Sequence, residues 1–224
     1  MLRIHVPRWD PKKFEELGRG GEAIVYRLRN DTAAKVFHPP SASLFDNSPI
    51  LQEAARIRLE EMQIKLLKFP HKIPDQVVVP NGVLIDDEKD EIFGYAMPLI
   101  KGVSLDKLSR TTARTDLSKI VNILISLHDL VVKLHAKKIV IGDFNENNVI
   151  VVRGKPYLID ADSMQFAGFL CRSFMLRCVA PGLIGFEGLP PVTEKERKSR
   201  KKKPKDDAEE DASSTKRTRK KKAV

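Results

Sequence analysis

The chain has 224 residues, 42% of them hydrophobic and 31% charged, with a formal net charge of +10. That is enough apolar material for one core of ordinary size, and neither a signal peptide nor an apolar span of membrane length is present, which argues against a membrane protein. Cys171 and Cys178 stand too far apart for a Cys-x-x-Cys pair and have no second pair, which argues against a zinc ribbon and for a reducing, cytoplasmic compartment.

Leu17 to Phe37, LGRGGEAIVYRLRNDTAAKVF, reads as a glycine-rich turn between strands followed by a hairpin with Asn30-Asp31 at its turn. Gly18, Gly20 and Gly21 open backbone conformations closed to other residues, and a loop without side chains can approach a phosphate closely. Lys35 lies mid-strand among Ala33, Ala34, Val36 and Phe37, where an unpaired ammonium would be costly to bury, so it calls for a specific partner.

Pro49 to Lys68 suits an amphipathic helix with Leu51, Ala54, Ala55, Ile57, Met62, Ile64 and Leu67 on its inner face. Glu53, Ile57, Glu60, Ile64 and Leu67 share one helical stripe, so Glu60, preferred over Glu53, is expected to face the core and pair with Lys35. The alternative is a solvated Glu on the helix flank, the reading given to Glu61. Gln76 to Ile85 and Glu91 to Ile100 read as two strands around an Asp-Asp-Glu-Lys-Asp turn. Leu105 to Leu108 starts a short helix capped by Ser104, and Asp116 to Ala136 a longer one carrying Ile120, Ile123, Leu124, Leu127, Leu130, Val131 and Leu134 inward. His128 and His135 on that helix have no carboxylate or Cys at metal spacing and are read as structural.

The densest chemistry lies in Leu134 to Phe166. An apolar segment, Ile139 to Ile141, delivers Asp143 into a polar loop; Asn148 follows and opens a strand, Val149 to Val152. A turn at Arg153-Gly154-Lys155 returns the chain through Tyr157-Leu158-Ile159 to Asp160. Three oxygen-bearing side chains placed this way can gather around one Mg²⁺ and one hydroxyl nucleophile. A buried hairpin flanked by solvated Asp and Asn would look the same in isolation. The glycine-rich turn and strand lysine upstream, in the right order, decide for a nucleotide site.

Together these residues resemble the protein-kinase superfamily, and more narrowly the bacterial and phage atypical, Rio-like serine/threonine kinase-like proteins. The relevant motifs here are Gly142-Asp143-Phe144-Asn145-Glu146-Asn147-Asn148 and Ile159-Asp160-Ala161-Asp162-Ser163-Met164-Gln165. The resemblance implies an α+β, two-lobe fold: an antiparallel N-lobe sheet with one helix over residues 1–100, and a shortened, mostly helical C-lobe over residues 101–191. It implies ATP and Mg²⁺ as ligands. By it, Gly18, Gly20 and Val25 cover the nucleotide, with Ala23 in place of the third loop glycine. Ala33 lines the adenine pocket, Lys35 grips the α- and β-phosphates, and Glu60 positions that lysine. Met97 takes the gatekeeper position, the backbone of Pro98 and Ile100 meets the adenine edge, and Ser104 lies near the ribose. Asp143 orients the attacking hydroxyl and accepts its proton, while Asn148 and Asp160 hold the metal. Asn145 stands where a catalytic-loop lysine is usual and is expected to bond a phosphate oxygen without neutralising it. The His-Arg before the catalytic Asp is Ile141-Gly142, which leaves no arginine for a phosphorylated activation loop, and the phenylalanine and glycine after the metal aspartate are Ala161 and Asp162.

Past Val192 the composition changes. Thr193 to Val224 holds 14 Lys and Arg against 7 Asp and Glu and no aromatic residue, a net of +7 that leaves +3 for the rest of the chain. Residues 192–224 are therefore expected to be a disordered basic tail, able to contact nucleic acid weakly or, in a eukaryotic host, to read as a nuclear-import signal. The activation segment would run from Asp160 to about Pro181, with Ala180-Pro181-Gly182 near its end. Little sequence then remains for the helices that usually floor the lower lobe, so apolar surface there is expected to be uncovered and to invite self-association, a partner chain or a compact variant. Two functions from different classes follow: an atypical kinase acting on a Ser or Thr hydroxyl of a protein, itself included, or a non-catalytic module that binds a nucleotide or partner protein.

Overall fold

The structure is a computed structural model and describes residues 1–29, 31–111 and 116–171. The expected basic tail, Cys178, residues 172–181 of the activation segment and half of the Asn30-Asp31 turn lie outside the described residues.

Strands β1 (Leu2–Val6), β2 (Glu15–Arg19), β3 (Ala23–Arg29), β4 (Thr32–Phe37), β5 (Gly82–Asp86) and β6 (Glu91–Pro98) form one six-stranded sheet in the order β1-β5-β6-β4-β3-β2. Pairing is antiparallel except at one edge, where β1 runs parallel to β5. The sheet is therefore mixed, and not wholly antiparallel as the sequence suggested. The strand expected over Gln76 to Ile85 is confined to β5; before it, Val77 makes only a bridge to Leu158.

Cross-strand partners share a face. Lys35 stands opposite Val25 on one side and Tyr95 on the other, and Ala33 stands opposite Met97. Those residues belong to the core face of the sheet, which buries Ala23, Ala33, Phe37, Val83, Ile85, Tyr95 and Met97 against Met62 and Leu66. Trp9 stacks on Phe14 (ring centroids 4.7 Å apart) and meets Tyr26 edge-on.

Helix α1 (Pro49–Lys65) starts at Ser48, whose hydroxyl accepts the Leu51 N–H, with Pro49 at the first helical position. It leans on the sheet through Gln63: the side-chain amide donates to Ile92 O (2.8 Å) and accepts from Ile92 N (2.7 Å), just where the β5–β6 register slips. Its buried face is Ala55, Met62 and Lys65. Leu51, Ile57, Ile64 and Leu67, expected inside, are exposed.

Below the sheet, α2 (Leu105–Arg110) is capped by Ser104, and α3 (Leu117–Ala136) by Asp116. Leu127, Leu130 and Leu134 of α3 join Ile139, Val149, Leu158, Ala161, Met164 and Phe166 in a second core, and Ile123 of α3 is buried too. Leu124, expected inward, is exposed, with Leu117, Val121, Ile125 and Val132 along the same outer surface of α3. Strands β7 (Val103–Ser104), β8 (Val149–Val152) and β9 (Lys155–Leu158) form a small antiparallel sheet. The β8–β9 hairpin turns on Arg153 and Gly154, both at positive φ (49° and 81°), the pattern of a type I′ turn. Among the described residues, no helix is long and apolar enough to cross a membrane.

Candidate active site

Three loops meet at the site. The first is the turn between β2 and β3. Gly20 N–H donates to Ala23 O (2.9 Å), and the His38 ring bonds Gly20 O (3.0 Å), so the sheet pins the loop from beneath. None of Gly18, Gly20 and Gly21 adopts a positive φ, so the conformational freedom expected of them is not used. Their contribution is space: a Cβ at Gly18 or Gly21 would meet nothing within 4 Å. Val25, Ala33, Met97 and Ile100 all lie in or against the upper core, joined by Ile159, and line an apolar wall beside Lys35. Pro98 is exposed at the end of β6, and the next N–H, Leu99, donates to Asp31 O. Ser104 uses its hydroxyl to cap α2.

The second is the loop from Asp143 to Asn148, ahead of β8. Asn148 Nδ2 donates to Asp143 O (2.8 Å) and to Asp143 Oδ2 (3.0 Å), which directs the Asn148 carbonyl oxygen away from Asp143. Asn145 acts within the loop. Its Oδ1 accepts the N–H groups of Asn147 and Asn148, and its Nδ2 donates to Asp143 O. In this arrangement both ends of its amide are engaged in forming the turn, as short amide side chains favour.

The third loop follows β9. Asp160 takes a left-handed conformation (φ 67°, ψ 42°), uncommon for a residue with a Cβ, and a 3₁₀ turn over Ala161–Ser163 follows. Ser163 Oγ donates to Asp160 O (2.8 Å) and accepts from Asp143 N (3.3 Å), so one hydroxyl ties the third loop to the second. Gln165 and Val140 exchange backbone hydrogen bonds beside it. The packing also explains Gly142: a Cβ there would run into the Ser163 carbonyl oxygen. No arginine fits at that position without moving backbone.

Lys35 binds Asp160 directly and Asp162 through both carboxylate oxygens (2.8 and 3.0 Å). Tyr95 donates its hydroxyl to Asp162 Oδ1 (2.6 Å). Glu60 is not part of this cluster. It pairs with Arg56 on the outer side of α1 with 61% of its side chain exposed, and Glu53 pairs with the same arginine. The physical reason is helical phase: Glu60 lies two residues, roughly 200° of rotation, from the buried Met62. The residues that sequence reasoning missed are Asp162 and Tyr95. The signal was present, a second aspartate two residues after the first where a small residue is usual.

Burial raises the Asp160 carboxyl, to about 6, against the pull of Lys35 and with Asp162 adding to the rise. Asp162 is buried as well, but the Lys35 charge and hydrogen bonds, with help from Tyr95, hold it below the ordinary carboxylate range. Burial alone would lower Lys35; the two carboxylates raise it instead. Burial, then Asp162 and Asp160, push the Tyr95 phenol well above its usual value. Asp162 is thus the permanent counter-charge of Lys35, and Asp160 the adaptable one. Exposure agrees: 26% of the Asp160 side chain is open against 4% for Asp162, so only Asp160 can reach a ligand in the cleft.

No group of three or more His, Cys, Asp or Glu suited to a metal occurs among the described residues. The hard oxygens of Asp160 and Asn148 nevertheless suit a Mg²⁺ ion that draws its remaining ligands from phosphate and water. A separate cavity of about 480 Å³, lined by Phe69, Pro74, Val77, Val79 and Pro98 among others, shares only Pro98 with the expected site.

A mixed sheet with one helix packed on it, a second core built on α3 and the β8–β9 hairpin, and a lysine and two acidic loops between them define a kinase-like α+β fold. Residues 60–167 match the family described as RIO1, RIO domain. Over that stretch, just under half of its length, the chain is similar to an atypical family of the protein-kinase superfamily. The match takes in Asp143, Asn148, Asp160 and Asp162 and leaves the glycine-rich turn and Lys35 outside. A search of curated proteins found no match to the chain.

Proposed function

We propose that this chain is an atypical ATP- and Mg²⁺-dependent kinase that transfers the γ-phosphate of ATP to a Ser or Thr hydroxyl of a protein, itself included. We divide it into an N-lobe at residues 1–100, a C-lobe at 101–191 and a basic tail at 192–224. The observation that carries the proposal is the convergence of Lys35, Asp143, Asn148 and Asp160, with Ser163 joining the two acidic loops. Val25, Ala33, Met97 and Ile100 receive the adenine, and the open turn at Gly18 and Gly20 covers the phosphates. Asn148 and Asp160 hold the Mg²⁺, which supplies neutralisation of phosphate charge when bound. Lys35 grips the phosphates. Asp143 orients the acceptor hydroxyl and takes its proton. Catalysis by such residues is positioning plus electrostatics, with little covalent work for the protein.

A second reading has its own support. Lys35 and Asp160 neutralise one another directly, and Asn145 is engaged within its loop, so the chain could bind nucleotide or a partner protein without turnover, its tail contacting nucleic acid. One experiment separates them: label transfer from γ-labelled ATP with Mg²⁺, using wild type, Asp143→Ala and Asp160→Ala. Transfer by wild type alone supports the kinase. Thermal stabilisation by Mg-ATP with no transfer supports the binding module.

A further inference from the structure

In the kinase resemblance, the phosphate-gripping lysine is positioned by a glutamate on the N-lobe helix. Here α1 turns Glu53 and Glu60 outward onto Arg56, and its buried face carries Ala55 and Met62 in their stead. The charges acting on Lys35 are those of Asp160 and Asp162. Lys35 and Tyr95 are direct partners in the β4–β6 pairing, which sets the phenol beside the ammonium on one face of the sheet. Tyr95 is 1% exposed and closes the far side of Asp162. Asp162 is fixed from its own side by the 3₁₀ turn, whose first residue, Ala161, is fully buried in the lower core.

Resting on the kinase reading, we propose that Asp162 and Tyr95 are the positioning residues for Lys35, and that they replace the helix glutamate from within the metal-binding loop. An ammonium has three protons to donate. Asp162 holds Lys35 through both of its oxygens and is too buried to be drawn away by a ligand. Asp160, the more open partner, can turn to a cation and release a proton of Lys35 to a phosphate oxygen. Lysine placement and metal-ligand placement then become one event, because Asp160 and Asp162 are two residues apart on one rigid turn. The position of α1 drops out of the requirement, which removes the in-and-out helix movement as a control point.

The test is direct binding to the full chain, comparing Mg-ATP with adenosine, which lacks phosphates but fills the same apolar wall. Variants are Asp162→Asn, Asp162→Glu, Tyr95→Phe and Glu60→Ala. Loss of a charge-assisted partner predicts Mg-ATP binding weakened about tenfold or more in Asp162→Asn and roughly threefold in Tyr95→Phe, with adenosine affinity unchanged. Asp162→Glu should recover part of the loss, and Glu60→Ala should bind both ligands as wild type does. Equal loss of ATP and adenosine in Tyr95→Phe, which keeps every charge and serves if Asp162→Asn does not fold, would mean a merely structural role and overturn the proposal. So would Mg-ATP binding that survives Asp162→Asn or falls in Glu60→Ala. Failure of wild type to bind Mg-ATP would instead overturn the kinase reading beneath it.

Discussion

Asp160 carries three constraints at once: a left-handed backbone, a direct bond to Lys35, and a carboxyl that burial raises to about 6. Because its pKa is higher folded than unfolded, the folded chain binds more protons between the ordinary value of 3.8 and about 6. Metal-free stability should therefore fall as pH rises through that window, by at most about 1.4 kcal/mol per unit. Urea midpoints measured across it should show the slope in wild type and lose it in Asp160→Asn. Ser163 and Gly142 make a second pair of predictions at this scale. Ser163→Ala removes the hydroxyl between Asp160 O and Asp143 N, and should cost about 1–2 kcal/mol of stability together with a larger drop in turnover than in ATP affinity. Gly142→Ala drives a methyl into the Ser163 carbonyl and should destabilise by about 1–3 kcal/mol in the same denaturation assay.

At the scale of elements, α1 decides what α1 does not do. Gln63 on Ile92, Arg58 on Glu22 (2.9 Å) and the buried Ala55 and Met62 fix its rotation, and that rotation faces Glu53 and Glu60 outward. Met62→Ala should cost about 2–4 kcal/mol through the cavity it leaves, whereas Ile64→Ala on the exposed side should change stability by less than about 0.5 kcal/mol. The same helix shows what a sequence makes legible. Its start was plain at Pro49, its expected end at Lys68 ran past α1 through the 3₁₀ turn Leu66–Lys68, and Lys35 was plain as a strand lysine needing a partner. Its inner face was not. Ile57, Ile64 and Leu67 form a stripe as apolar as the one that is buried, and contacts with distant segments, Gln63 on Ile92 and Arg58 on Glu22, choose between them. Asp162 was only half legible: the second aspartate stands out in its motif, but its partner Tyr95 is 67 residues away, and nothing local marks Tyr95 as half of a pair. The parallel β1–β5 pairing, between segments some eighty residues apart, was invisible on the same grounds.

Taken whole, the molecule places an open glycine turn and Lys35 on an upper sheet and hangs Asp143, Asn148 and Asp160 from a lower core. Ser163 and the Lys35–Asp162–Tyr95 cluster are the struts between them. Sequence motifs singled out the four side chains that we propose act, because each stands in a recognisable local pattern. The struts emerge only when the loops meet. The outer surface of α3 exposes Leu117 and Val121. The central claim is that these parts form a phosphoryl-transfer site, and single-turnover transfer from γ-labelled ATP in the presence of Mg²⁺ tests it most directly. The account predicts label on a Ser or Thr of the chain or an added protein, at least about a hundredfold slower in Asp143→Ala because general-base catalysis is of that order. Equal label in wild type and Asp143→Ala, or none in wild type despite tight Mg-ATP binding, would contradict it.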